Sequence, residues 1–263
     1  MKDNYPSEFD EYKKSLFKGK FHKVDKPRFD NTKEDEPEEL IQHNTLVGCV
    51  PVTDLDSSHI AVQYLRGRKF GKEYDNLFWY SEDFKITAKA LSYSEINERF
   101  PSEPRLVIPF YNEDKSIKCI QGRSFNPKSD LKYITIKTNE SSDKVYGLER
   151  IDQSKVVYCC EGPFDSLLID NCIATCDASL TTANADVFVW DNQPRNKEVC
   201  EFISEAIQMG LKVVIWPTSP NDKEDCNDLI MKGTTKQELM KIIRDRTFHG
   251  LRAKLEFTKW KRL

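Results

Sequence analysis

The pattern of hydrophobic and polar positions predicts an alternating α/β arrangement in the second half of the chain. Apolar, largely β-branched runs occur at 156–160, 187–190 and 213–216. Near-continuous apolar runs of this length, separated by helices, are typical of buried strands in a parallel sheet. Helical periodicity at 197–209 and 236–246 supplies two of the helices. We therefore expect a parallel sheet with flanking helices between residue 155 and about residue 247.

The stretch upstream of this sheet is predicted to form a smaller α+β subdomain. Asp56-Ser57-Ser58 can cap a helix over 60–67, whose apolar positions share one face. A second helix is predicted over 93–99. Apolar arms at 105–110 and 117–121, joined by a polar turn, predict a β-hairpin, and a further strand is predicted at 132–136.

The chain is expected to divide into four parts. Residues 30–40 are dominated by acidic side chains, contain Pro37 and show no periodicity, which is typical of a linker or a solvated loop. The expected parts are a charged linker or tail at 1–45, the α+β subdomain at 46–150, the parallel-sheet domain at 151–235, and a C-terminal helix with a basic tail at 236–263.

Acidic residues follow the predicted parallel strands where each strand ends. Glu161 and Asp165 come after the first run, Asp191 after the second, and Asp225 shortly after the third. The carboxyl ends of parallel strands meet at one crevice, where ligands bind. Carboxylate oxygens are the ligands that Mg²⁺ prefers. The spacing therefore predicts a magnesium site, although Asp191 taken singly also suits a turn and Asp225 a helix cap.

Composition restricts the class of protein without deciding its function. With 38% hydrophobic residues, the 263-residue chain can form a real core. No run approaches the roughly 20 apolar residues of a membrane span, and the first residues lack the apolar core of a signal peptide. We therefore expect a cytoplasmic location, in the host cytoplasm if the protein is viral. The cysteines show no Cys-x-x-Cys spacing, so we expect reduced, mostly buried thiols and no zinc.

Charge is unevenly distributed along the chain. The formal net charge is −3, yet the segments 60–72 and 247–263 are basic. Such segments are candidate contacts for nucleic-acid phosphates, because distribution matters more than the sum. An ordinary solvated face would explain the first segment equally well and would explain the tail better.

Several motifs together carry a family resemblance. Residues 155–232 resemble a TOPRIM domain, the metal-binding fold shared by bacterial-type primases, topoisomerases and some nucleases. Ala61-Val62-Gln63-Tyr64-Leu65-Arg66-Gly67 is similar to the "A..YL..RG" helix of DnaG-type primases. The basic strand motifs of the primase RNA-polymerase core then follow in order at 105–110, 121–123, 132–133 and 144–148. The resemblance covers about 55–245 and implies a phage-type DNA primase catalytic core.

The resemblance implies roles for individual acidic and basic positions. The implied reaction is Mg²⁺-dependent (or Mn²⁺-dependent) nucleotidyl transfer, and it depends on positioning and on charge neutralisation. The implied catalytic residues are Glu161, Asp165, Asp191 and Asp225. The implied metal-facing residues are Glu161, Asp191, Gln193, Asp225 and Asn227. The implied nucleotide or template contacts are Arg66, Arg68, Arg105, Arg123, Lys132 and Lys144.

The resemblance also implies partners. These are a single-stranded DNA template, ribonucleoside triphosphates and a separate replicative helicase, since the chain has no phosphate-loop motif. Full primases of this type begin with a zinc ribbon, which residues before 45 cannot form. We therefore expect either a separate zinc-ribbon polypeptide or a truncated chain. The basic, Trp-containing tail at 251–263 is a candidate contact for the helicase.

Two departures from the family pattern leave alternatives open. Gln193 and Asn227 stand where primases usually carry acids, so each replacement removes a charge but keeps an oxygen. A TOPRIM phosphodiester nuclease would use the same carboxylates with water as nucleophile. A non-catalytic replisome accessory subunit would bind single-stranded DNA and retain a decayed metal site.

Overall fold

The computed structural model describes residues 46–218 and 223–263, and two sheets organise them. The expected linker or tail at 1–45 lies outside the described residues. No described helix is both long enough and apolar enough to cross a membrane. The four-part division of the chain remains a prediction.

The first sheet is antiparallel throughout, and its strands follow one another in sequence order. Its strands are Cys49–Pro51 (β1), Trp79–Ser81 (β2), Arg105–Tyr111 (β3), Ile117–Ser124 (β4) and Tyr133–Lys137 (β5). The expected hairpin is confirmed as β3 and β4, and the expected strand at 132–136 is confirmed as β5. Two helices accompany the sheet, at Ile60–Gly67 (α1) and Phe84–Leu91 (α2).

The two helix predictions in this half have different outcomes: one helix forms but begins at a different cap, and the other does not form. Helix α1 forms as expected, but His59 is its N-cap, and the His59 Nδ1 accepts from the Ala61 N–H at 3.2 Å. Asp56 instead accepts from the Ser58 N–H in the preceding turn. The helix predicted over 93–99 is wrong, since this described segment forms bends and turns. The side chains of Ser92 and Asn97 accept backbone N–H groups there and compete with helix formation.

The second sheet confirms the predicted parallel arrangement. Its strands are Tyr158–Cys160 (β6), Cys172–Ala174 (β7), Val187–Val189 (β8), Lys212–Val214 (β9) and Thr247–Phe248 (β10). The spatial order is β10-β9-β8-β6-β7, with only the edge strand β10 antiparallel. The sequence predicted β6, β8 and β9 but not β7, because the apolar run at β7 has only three residues, whereas those at the other three strands have four or five. Glu161 directly follows β6, and Asp191 lies just beyond β8.

Helices cover the second sheet and end close to their predicted limits. They are Pro163–Ser166 (α3), Lys197–Gln208 (α4), Cys226–Met231 (α5), Lys236–Asp245 (α6) and Gly250–Trp260 (α7). The expected helices at 197–209 and 236–246 are thereby confirmed as α4 and α6. Asn196 caps α4 through its side chain, and Thr235 caps α6 in a reciprocal box with Glu238.

One hydrophobic core joins the two sheets. Phe78 and Phe110 from the first half belong to the same buried cluster as Phe164 from α3. The rings of Phe78 and Phe164 stack with 5.5 Å between centroids. A smaller cluster covers the other face of the first sheet, around Phe84. Gly122 is required there, because a Cβ at that position would lie 2.5 Å from the Phe84 ring.

The cysteines are free thiols, as expected. All eight lie in the described part of the chain, none of them forms a disulfide, and six are buried. Burial raises the pKa of the Cys159, Cys160 and Cys226 thiols well above the ordinary value. Raised pKa values keep these groups in the unreactive thiol form.

Candidate functional site

Four carboxylates named from the sequence line one cavity at the carboxyl ends of the parallel strands. The cavity has a volume of about 240 Å³. Glu161 follows β6, Asp165 lies in the first turn of α3, and Asp225 is the N-cap of α5. Asp191 follows β8, and its backbone N–H donates to Glu161 Oε1 at 3.1 Å. We call this the acidic cavity; it is lined by Gln121, Tyr133, Glu161, Gly162, Pro163, Asp165, Cys176, Asp177, Asp191 and Asp225.

The pKa values of all four carboxyl groups are raised. Burial is the largest cause for each of them. It raises the pKa of Asp165 to about 7, with the charge of Asp225 adding to the effect. Burial raises the pKa of Asp191 to about 9, and the charges of Glu161 and Asp165 raise it further. A cluster of buried like charges is unfavourable unless a proton or a cation compensates it.

The donor set of the cavity suits a hard divalent cation. Among residues 46–218 and 223–263, no group of three or more His, Cys, Asp and Glu side chains could hold a metal ion by itself. Mg²⁺ does not need such a group, since it keeps several waters and binds through one or two carboxylates plus substrate phosphates. Gln121 adds a further oxygen, because its buried Oε1 has no hydrogen-bond partner in the described structure. The residues present therefore fit Mg²⁺ or Mn²⁺ bound together with a phosphate ligand.

Two of the expected metal ligands do not line the acidic cavity. The Gln193 side chain donates from Nε2 to Asp191 Oδ2 at 3.2 Å, and its oxygen accepts from Asn196 at 3.0 Å. It therefore orients a carboxylate rather than replacing one. The Asn227 side chain is buried and hydrogen-bonds to Arg68. The structure thus contradicts the placement of Gln193 and Asn227 as ligands that face the cavity.

A wall of aromatic and cationic side chains adjoins the acidic cavity. The Tyr64 hydroxyl accepts from Arg68 Nε and from Arg123 Nε, both at 2.9 Å. The Arg123 guanidinium also lies 4.5 Å from the ring centroid of Tyr133, which lines the cavity. We call Tyr64, Arg68, Arg123 and Tyr133 the cationic wall. Two of the six basic positions named from the sequence, Arg68 and Arg123, lie in it.

Two other arginines that were expected to contact phosphates, Arg66 and Arg105, bind to other groups of the protein instead. Arg105 is fully buried, pairs with Glu103, and donates to the carbonyls of Gly122 and Leu131 at 2.9 and 2.8 Å. Arg66 pairs with Asp75 and donates to the Phe70 carbonyl at 3.0 Å. The structure thus contradicts Arg105 as a ligand contact, and it gives Arg66 the structural role of closing the loop after α1.

The two lysines named from the sequence are exposed and lie outside the cavity lining. Lys132 directly precedes β5. Lys144 lies close enough to Cys176, which lines the cavity, for its charge to oppose the rise in the pKa of that thiol that burial causes. The Lys144 charge therefore acts on one residue of the lining, and the structure gives neither lysine a direct contact with the acidic cavity.

Three side chains of the cavity lining that could contact a ligand, those of Gln121, Tyr133 and Asp177, were not predicted as site residues. Asp177 follows β7, and its charge adds to burial in raising the pKa of Glu161. It was missed because β7 itself was not recognised, although the run Cys172-Ile173-Ala174 before an acid was the available signal. Gln121 and Tyr133 come from the first sheet, and no sequence pattern indicates that their side chains face a cavity in the second half of the chain.

The chain is similar to a curated protein and to several solved structures. The DNA primase of Enterobacteria phage T4 is 30% identical over 272 residues, which cover 98% of this chain and 78% of that protein. No family model matches the chain.

Solved structures share the fold. The Aquifex aeolicus primase structure with zinc-binding and RNA polymerase domains aligns with a TM-score of 0.52 at 18% identity. That alignment covers 71% of this chain but only 55% of the Aquifex chain. A DnaG primase catalytic domain bound to single-stranded DNA aligns with a TM-score of 0.53 at 13% identity, over 75% of this chain and 77% of that one. The two sheets described above therefore have the fold of primase catalytic cores.

Proposed function

Because the chain belongs to the DNA primase family, we propose that it is a nucleotidyltransferase that extends short RNA primers on single-stranded DNA. The observation that carries the proposal is the juxtaposition of the acidic cavity with the cationic wall. A polymerase needs carboxylates where cations neutralise the reacting phosphates and fixed cations where the triphosphate is held. Both kinds of group lie side by side in this structure.

The carboxylates of the second sheet would provide the metal-facing side of the site. Glu161, Asp191 and Asp225 would hold Mg²⁺, or Mn²⁺ in its place. When bound, the cation would neutralise charge on the phosphoryl oxygens and favour ionisation of the attacking 3′-hydroxyl. Asp165 is positioned by the Asn227 backbone N–H, which donates to its Oδ1 at 3.0 Å. That hydrogen bond opposes the rise in the Asp165 pKa and favours its charged form.

The cationic wall would bind the substrate side. Arg68 and Arg123 share the Tyr64 hydroxyl, so their guanidinium groups are fixed before a ligand arrives. Guanidinium groups suit phosphate oxygens because they present several N–H donors in one plane. Tyr133 lies at the cavity with its ring partly exposed, where a base can stack on it.

The partners of the reaction belong to the same proposal. A relative has been solved with single-stranded DNA, and we extend that template to this chain together with ribonucleoside triphosphates as substrates. A separate replicative helicase and a zinc-ribbon polypeptide would complete a primosome. The expected helicase contact at 251–263 needs one correction, because Trp260 is buried and donates to Asn192 Oδ1 at 2.8 Å. Leu251 and Leu255 are the exposed apolar residues of that helix.

Two other functions would use parts of the same site. A phosphodiester nuclease would use the same carboxylates, and phosphate-binding arginines would suit it too, but the chain's relative is a DNA primase and not a nuclease. A non-catalytic accessory subunit would not need buried carboxylates whose charges oppose one another. The preserved acidic cavity therefore favours the polymerase.

The experiment that tests the proposal is incorporation of labelled ribonucleotides on single-stranded DNA with Mg²⁺, with and without a helicase or zinc-ribbon partner. Short RNA products that are lost in Asp191→Asn but kept in Asp170→Asn would support it. Asp170 is an exposed carboxylate next to the amino end of β7, away from the cavity. Template cleavage instead of synthesis would favour the nuclease, and DNA binding without product would favour the accessory subunit.

A further inference from the structure

The Asn227 side chain holds a single residue, Arg68, at two points. Its Oδ1 accepts from the Arg68 Nη1 at 3.0 Å. Its Nδ2 donates to the Arg68 backbone carbonyl at 2.9 Å. Asn227 is 4% exposed, so both hydrogen bonds are shielded from water. Such a clasp needs an acceptor and a donor on one short side chain, which asparagine has and aspartate lacks.

Arg68 is held on its other sides by aromatic groups. Its Nε donates to the Tyr64 hydroxyl, and its guanidinium carbon lies 4.7 Å from the ring centroid of Phe164. The remaining guanidinium N–H groups have no partner among the residues that the structure describes. A fixed arginine with unused N–H donors is suited to an anionic ligand.

The clasp joins the two halves of the site. Arg68 is the C-cap of α1, and Asn227 lies in the first turn of α5, after the N-cap Asp225. The Asn227 backbone N–H also donates to Asp165 in the acidic cavity. Burial raises the pKa of Asp165 and of Asp225, and the Arg68 charge opposes that rise in both, so the cation lies near these acids.

We propose that Asn227 is a positioning residue that clasps Arg68 and so presents its unpaired N–H groups to the phosphates of the incoming ribonucleotide. This inference rests on the proposed function for the identity of the ligand. It replaces the interpretation of Asn227 as a weakened metal ligand. An arginine released from the clasp would keep its charge but lose its fixed geometry, and ordering it again would oppose binding.

A double-mutant cycle on nucleotide affinity tests the clasp. The dissociation constant of ATP with Mg²⁺ is measured by calorimetry, without template, for the wild type, Arg68→Ala, Asn227→Ala and the double variant. We expect each single substitution to weaken binding about tenfold, and the double variant to be no weaker than Arg68→Ala, because one residue acts through the other. The proposal would be overturned if the loss of affinity in the double variant equalled the product of the two single losses. Unchanged ATP affinity in Asn227→Ala would overturn it too.

Mn²⁺ affinity separates the clasp from a metal ligand. Measured by electron paramagnetic resonance, Mn²⁺ binding should be unchanged in Asn227→Ala. Weakened Mn²⁺ binding together with intact ATP affinity would overturn the proposal.

A second variant covers the case in which Asn227→Ala does not fold. Asn227→Asp keeps the size and the oxygen acceptor but loses the N–H donor to the Arg68 carbonyl. We expect it to weaken ATP binding severalfold, and unchanged or tighter binding would contradict the clasp. Asn171→Asp is the matched control, since it removes amide donors to the Asp152 and Val156 carbonyls at the opposite end of the strands. It should lower stability without changing ATP affinity.

The outcomes distinguish this inference from the proposed function. A chain that makes no RNA but loses ATP affinity through Arg68 and Asn227 would retain the clasp and refute the polymerase. A chain that makes RNA while both variants bind ATP normally would retain the polymerase and refute the clasp.

Discussion

The half of the chain with the second sheet supplies the acidic side chains of the site, and the half with the first sheet supplies the basic ones. The sequence predicted the acidic positions more accurately than the basic positions. All four acids named from the second half line one cavity. Of the six basic positions named from the first half, only Arg68 and Arg123 lie in the cationic wall. The difference follows from topology. Parallel strands deliver their carboxyl ends to one edge, whereas an antiparallel sheet and its loops place charged residues on either face.

The charged residues of the two halves also differ in whether the fold compensates their charge. The acids of the cavity are partly buried, and no cation in the described part of the chain pairs with Asp165 or Asp191 to offset their raised pKa values, so they need a ligand. Arg105 is buried more deeply than these acids, but its charge is compensated by an ion pair with Glu103 and by two carbonyl hydrogen bonds, and only its Nε lacks a partner among the described residues. A buried charge therefore indicates a site only where the fold leaves it uncompensated.

The largest expected effect is on the acids. Asp191→Asn should reduce RNA synthesis by at least about a hundredfold, since it removes one of the charges that face the reacting phosphates. Circular dichroism and Tm should stay close to wild type, because the substitution keeps the size of the side chain and removes no contact of the hydrophobic core. Initial rates of ribonucleotide incorporation measure the effect. Near-normal rates would remove Asp191 from the site.

The next effect concerns the buried arginine of the first sheet. Arg105→Ala should lower the free energy of unfolding by about 3 kcal/mol, because Glu103 and two carbonyls lose their partner. Urea denaturation measures it, with Arg123→Ala as the control that should lose less than about 1 kcal/mol. Equal losses in the two variants would contradict the distinction between them.

Substitutions in the cationic wall should change the KM for ribonucleotides more than they change stability. Arg123→Ala should raise the KM for ribonucleotides about tenfold, as expected when one charge-assisted phosphate contact is lost. Arg123→Lys should recover part of that loss, because it keeps the charge but not the planar donors. Steady-state kinetics on a fixed template measure both. A lowered Tm with an unchanged KM would show that Arg123 stabilises the fold and does not contact the nucleotide.

The acidic cavity should make stability depend on pH in a direction that Mg²⁺ reverses. The folded-state pKa values of Asp165 and Asp191, about 7 and about 9, lie above their unfolded values near 4. Stability contributed by their protonated forms is therefore complete below about pH 4 and is lost as the pH rises through 7 and 9. Tm measured from about pH 5 to pH 9 should fall, and MgCl₂ should raise it by a few degrees at high pH only. The same rise in Asp191→Asn would argue against this cation site.

The smallest effect is expected at the exposed lysines. Lys144→Ala should weaken nucleotide use a few-fold and leave Tm unchanged, because an exposed lysine contributes little to stability. Lys132→Ala, outside the cavity lining, should change KM less. A larger effect at Lys132 than at Lys144 would show that the template passes over β5 instead.

Local patterns in the sequence were enough to predict the parallel sheet, the hairpin and the four carboxylates at the strand ends. Glu161 and Asp191 could be placed because a strand end fixes where the next side chain lies, and this depends only on local apolar patterning. The motif order also led to the primase family. Strand β7 was not predicted by the same reasoning, because its apolar run is short. Asp177, which follows β7, was therefore not predicted either.

The contacts of the remaining polar residues could not be predicted from the sequence and became visible only in the folded chain. Asn227 resembled a diminished acid in the sequence, yet it bonds a residue 159 positions away. Arg105 resembled a phosphate contact, yet it is enclosed between strands. Gln121 and Tyr133 reach the cavity only because the first sheet packs against the second. Such roles depend on which partners lie within hydrogen-bonding distance, and packing between distant segments sets those distances.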